Sequence, residues 1–137
     1  MKKILIAALF IAAFGFFAIY FFTPKETSKE DMLDALTEKQ SSYNAVADYF
    51  IKHTDIDPKY VYEQDADNYP GIENAIKEAL DDDFLYIGVS SDHREITFGT
   101  AAQGTSEDHK LIYSPYDKPS SAPDAEATKF GGWYIKM

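Results

Sequence analysis

The chain has 137 residues, no cysteine and a formal charge of −10, and every one of its 23 acidic residues follows position 25. This balance excludes a nucleic-acid binder, because phosphates are held through Lys and Arg, and the missing cysteines exclude disulfides, so the fold rests on packing alone. Only Lys2 and Lys3 precede the first long apolar run, which leaves residues 23–137 with 11 basic against 23 acidic side chains, or −12.

Ile4 to Phe22 is a run of nineteen uncharged residues. As a helix it spans roughly 28 Å, close to the thickness of a bilayer's hydrocarbon core. A cleaved signal peptide has a shorter apolar core followed by a small-x-small site. Here the only such triplet is Ala13-Phe14-Gly15, in the middle of the run, and a cut there would leave FFAIYFF exposed. Residues 1–22 are therefore expected to form an uncleaved transmembrane anchor, with Tyr20 near an interface. Lys2 and Lys3 put the N-terminus in the cytoplasm and residues 23–137 outside it, since basic flanks stay inside. Ala8 and Ala12 are spaced for a close helix contact, as expected by chance in an Ala-rich span.

Residues 23–28 read as a polar tether to an extracytoplasmic α+β domain, 29–137. Thr27/Glu30 and Ser28/Asp31 both have capping-box spacing. Met32, Leu33, Leu36, Tyr43, Val46, Ala47 and Phe50 then follow at a period near 3.6, interrupted at Gln40-Ser41-Ser42. This predicts one helix over 29–52, or two joined near Ser41. Residues 54–71 are a connection, with Val61 in a short extended contact. Asn68 or Tyr69 caps a second helix with Pro70 in its first turn. Its stripe is Ile72, Ala75, Ile76, Ala79 and Leu80.

Beyond Asp81-Asp82-Asp83 the period changes to two. Leu85, Ile87 and Val89 face one way and Tyr86 and Gly88 the other; SSDHR turns the chain; Ile96 and Phe98 continue the apolar face. Residues 99–109 read as a loop, KLIYS as a third strand, 115–132 as mostly loop, and WYIKM as a fourth strand that Gly131-Gly132 swings into the sheet. The fold class is α+β: two helices packed on a four-stranded antiparallel sheet, behind the transmembrane helix.

The segment YSPYDKP at 113–119 and the ending GGWYIKM, together with the VADYF helix and the LYIGVSSDHREITF hairpin, resemble a set of uncharacterised small bacterial membrane-anchored envelope proteins. These carry a YSP-x-D-x-P segment and a GWY-type C-terminus. The likeness spans residues 43–137. It implies this fold and a bacterial envelope setting, and it carries no activity and no functional residue with it.

Chemistry-bearing patterns are few. His53, His93 and His109 lack the i, i+4 spacing of a helical zinc site, and a solvent-exposed turn and loop are the expected settings of His93 and His109. Ser, Asp and His in SSDHRE lie too close in sequence to converge as nucleophile, base and orienter. Asp55/Asp57 and Asp65/Asp67 form D-x-D pairs, but DADNYPGIENAI places glycine one position late and ends on Ile76, unlike a calcium loop. Asp81–Asp83 oppose a helix dipole and call for tolerance or a counter-ion. No metal and no cofactor is expected. Tyr113, Tyr116, Trp133 and Tyr134 converge if the last two strands pair. They are the candidate partner or glycan surface, although cross-strand packing is the plainer role for aromatics.

The expectation is a non-enzymatic, membrane-anchored interaction module of the bacterial cell envelope. Its acidity favours a basic protein partner, and an immunity-like capture of an incoming toxin fits its small size. The alternative is a cell-wall or glycan-binding domain.

Overall fold

The computed structural model describes residues 28–81, 84–101 and 108–137. The expected anchor over residues 1–22 and nearly all of the tether lie outside them. Among the described residues no helix is long and apolar enough to cross a membrane.

The first helix, α1, spans Lys29–Glu38, and Ser28 caps it as its spacing predicts. The Ser28 hydroxyl accepts from Asp31 N and the Asp31 carboxylate accepts from Ser28 N. The chain breaks at Lys39 (φ −119°, ψ 30°) and α2 runs Gln40–Lys52. Of the two expected forms, one helix or two, the structure takes two, joined two residues before Ser41. The break lets both stripes reach one core: Met32, Ala35 and Leu36 from α1, and Tyr43, Val46, Ala47 and Phe50 from α2.

The connection holds more structure than its sequence suggests. Tyr60–Val61 is a strand, β1, and Glu63–Asn68 a 3₁₀ helix. The next helix, α3, begins later than expected, at Glu73–Ala79, because Pro70-Gly71 forms a turn, with Gly71 at φ 95°. Its stripe holds nonetheless: Ile76, Ala79 and Leu80 are buried, and Ile72 and Ala75 pack at the margin.

The remaining strands are β2 (Tyr86–Val89), β3 (Ile96–Gly99), β4 (Lys110–Tyr113), β5 (Glu126–Ala127) and β6 (Trp133–Lys136). The sheet has six strands rather than four, in the order β1-β2-β3-β4-β6-β5, all antiparallel. The two additions, β1 and β5, are its edges. Each is two residues long, too short to leave an alternating pattern in sequence, and short edges give other chains little to pair with.

Register divides the sheet into two faces. Val61, Ile87, Val89, Ile96, Phe98, Leu111, Trp133 and Ile135 join the helices in one core. The expected facing of Ile87 and Ile96 toward the helices is therefore met. On the far face a cross-strand row runs Tyr60, Gly88, Thr97, Ile112, Tyr134, Ala127. There Ile112 packs with Ala122 and Ala125, and Tyr134 leans on them.

Candidate interaction surface

The four aromatic residues singled out by sequence do not form one platform. The register sets Tyr113 opposite Trp133 and Ile112 opposite Tyr134, so Tyr134 points to the far face. Trp133 is only 2 % exposed, and its ring lies 4.8 Å from Tyr113, 5.9 Å from Phe98 and edge-on to Tyr43 at 6.3 Å. Its indole N–H donates to Asn44 Oδ1 at 3.2 Å, which satisfies the polar end of the ring on α2. Burial, reinforced by the charge of Asp48 and by Tyr116, pushes the Tyr113 hydroxyl above the ordinary tyrosine range. Tyr113 and Trp133 are thus brought together as core. Tyr116 stands 61 % exposed, with the Arg94 guanidinium 4.8 Å above its ring.

Two of the histidines serve one helix end. His53 Nδ1 lies 2.7 Å from Tyr49 O, with its ring stacked on Tyr49 at 3.9 Å; His93 Nδ1 lies 2.8 Å from Phe50 O. A carbonyl can only accept, so each Nδ1 carries the proton. His93 thereby serves the Phe50 carbonyl in the last turn of α2, whereas Tyr49 O, which the His53 ring also meets, already accepts from the His53 backbone N–H at 2.9 Å. The expected solvent exposure of His93 is thereby corrected: it is 5 % exposed, because a left-handed backbone (φ 56°) turns its side chain inward against α2. His109 is also not free in solvent. It is half-buried, its backbone N–H donates to Thr100 Oγ1, and its Nδ1 is enclosed with no hydrogen-bond partner among the described residues.

The SSDHRE turn is ordinary turn chemistry, as its sequence suggests. Ser90 Oγ donates to Asp92 Oδ1 at 2.7 Å, and Arg94 N donates to both. The bond from Ser90 and that from the Arg94 amide hold the Asp92 carboxyl below its usual range. The carboxylates of the D-x-D and triple-Asp motifs are dispersed. Asp65 accepts from Tyr62 N, Asp67 pairs with Lys77 at 3.5 Å, and Asp81 lies 3.9 Å from Lys39. Lys39 Nζ also donates to Glu78 O, so a cation does stand at the C-terminus of α3. Asp82 and Asp83 lie outside the described residues. Among the described residues no group of three or more His, Asp or Glu is placed to hold a metal ion.

One buried arrangement has no motif. Tyr86 lies flat across Gly99, where an added Cβ would sit 2.1 Å from the ring. Its hydroxyl donates to Asp108 Oδ2 at 2.6 Å, and Asp108 Oδ1 accepts from Thr100 N and Ala101 N. Tyr60, 47 % exposed, meets Tyr86 edge-on at 5.8 Å. The placement of Tyr86 opposite Ile87 was readable from the period of two; its partners were not, because they arrive from another strand and its following loop.

The surface of the helical half is acidic. From Lys29 to Asp81 five lysines stand against thirteen Asp and Glu, leaving −8. From Phe84 to Met137 five basic side chains meet seven acidic ones, leaving −2. Glu30, Asp34, Glu38 and Asp48 are all exposed on α1 and α2, and none forms an ion pair among the described residues.

Together these features define an α+β domain with helices on one face of an antiparallel sheet and its negative charge on the helical side. Comparison of the chain with protein-family models, with curated proteins and with solved structures returns no match.

Proposed function

We propose that the chain is a non-enzymatic interaction module of the bacterial cell envelope. Residues 4–22 anchor it in the cell membrane, and its α+β domain stands outside the cytoplasm and engages a basic protein. The observation that carries this reading is the concentration of charge on the helical half. A field of one sign over one side of a small domain speeds encounter with an oppositely charged partner and repels like-charged surfaces. Anionic lipid headgroups are among those surfaces, so the tethered domain favours the aqueous side. The burial of Trp133 counts against the glycan alternative, which needs that ring as an exposed platform.

The test uses the full-length chain in its membrane, with a photo-crosslinking residue at the exposed positions Thr37 or Ala45, which lie among Asp34, Glu38 and Asp48. Crosslinks to a basic protein, weakened by salt and lost in a D34K/E38K/D48K variant, are the expected result. Capture unchanged by that charge reversal overturns the reading. Separately, membrane pellets are expected to retain the chain through carbonate washing, and a new N-terminus between residues 16 and 25 would refute the anchor.

A further inference from the structure

Residues 115–125 cross the far face of the sheet, over Ile112. Both ends of this crossing are fixed to the last strand: Ser114 N donates to Gly132 O at 2.7 Å, and β5, immediately after it, pairs with β6. Between those points the hold is slight. The side chains that seat it are Pro119, Ala122 and Ala125, all buried but small. Its exposed ion pair, Asp124 with Lys136, is open to screening.

Ser114 Oγ donates to Asp117 O at its start, and exposed Tyr116 lies under the Arg94 guanidinium; the buried tie is Glu95. This carboxylate is 6 % exposed, and the hydrogen bonds it accepts come from Ser120 Oγ at 2.7 Å, Ser121 Oγ at 2.8 Å and Ser121 N at 3.4 Å. No cation pairs with it among the described residues, and the neighbouring Arg94 is turned to Tyr116. A buried carboxylate answered only by neutral donors gains little over the water it gave up. If the crossing lifts, Glu95 returns to water and recovers most of that loss; Ser120 and Ser121 are exposed already. No residue of 115–125 is a member of the helix-facing core, whose packing lies on the other face of the sheet.

We infer that residues 115–125 form a latch that opens independently of the core, with Glu95 as its catch, and that opening uncovers Ile112 and the ring of Tyr134.

The absence of cysteine makes the test direct. The full-length chain in nanodiscs carries a single reporter, Ala122→Cys under the latch or Ala47→Cys in the core, and is labelled with a maleimide. Labelling at position 122 is expected to outpace that at 47. The S120A/S121A pair, which strips the buried carboxylate of both hydroxyl donors, should speed it by about tenfold, as loss of one to two hydrogen bonds implies, and leave position 47 unchanged. Equal rates at the two reporters, or a serine pair that raises both alike or neither, overturn the inference. Both serines are exposed, so their replacement leaves the core able to fold.

Discussion

The two faces of the sheet are built from opposite materials. The helix-facing side buries Trp133, Tyr43, Phe50, Phe84, Phe98 and a set of aliphatic side chains, ring against ring at 5–6 Å. The far side closes over Ile112 with two alanines, a proline and hydrogen bonds to Glu95. Apolar burial scales with area, so the first face carries most of the stability of the domain and the cover over Ile112 adds little. A small protein without disulfides can have one strong core; its other face is then free to be weakly covered.

The sharpest break of that contrast is Trp133→Ala. It removes the largest side chain of the strong face and orphans Asn44, and a loss of about 3–5 kcal/mol is expected in chemical denaturation. Ile87→Ala or Ile96→Ala should cost about 2–5 kcal/mol each, and a cost below about 0.5 kcal/mol for both would show that the strong face is not where the register puts it. Gly99→Ala comes next, at about 1–3 kcal/mol, because the new methyl would sit 2.1 Å from the tip of the Tyr86 ring, which can shift only by giving up its bond to Asp108.

Tyr86 also sets an alkaline limit. Burial first, and then its bond to Asp108, raise its folded pKa well above the ordinary 10.0. The hydroxyl stays neutral in the folded state when the unfolded chain already ionises. Its contribution is therefore whole below pH 10 and falls as pH rises beyond it. Urea titrations from pH 8 to 11 should show this decline, flattened in Tyr86→Phe.

The smallest effects belong to the exposed pairs. Bonds from Lys136 and Lys29 hold the carboxyls of Asp124 and Glu126 below their usual range. Their contribution is present above the ordinary carboxylate range and is lost as pH falls through the lowered values. Lys136→Met should barely move Tm at neutral pH and should soften only the acid limb; a large shift at pH 7 would mean that the weak face is stronger than its materials suggest.

Much of this was legible in one dimension. Ser28 and Asp31 announced the first helix, the alternation at Leu85–Val89 announced the central hairpin, and Gly131-Gly132 before Trp133 announced the last strand turning into the sheet. Each signal is local: a cap acts over three residues and a strand's period over four or five. The candidate aromatic surface was only half legible. Pairing of the last two long strands was anticipated, but which of their aromatics share a face depends on a register that no local pattern prints.

The sequence by itself therefore determined the helices, the long strands and the lopsided charge, since composition and periodicity are properties of neighbours along the chain. Tertiary structure alone decided that the extended contact at Val61 pairs with β2 as an edge, that β5 exists as the other edge, that His93 turns inward to meet Phe50 O, that Tyr86 reaches Asp108 over a glycine, and that Glu95 holds two serines from 25 and 26 residues away. Those contacts join groups far apart in sequence, and such groups find one another only once the main core has fixed the sheet beneath them.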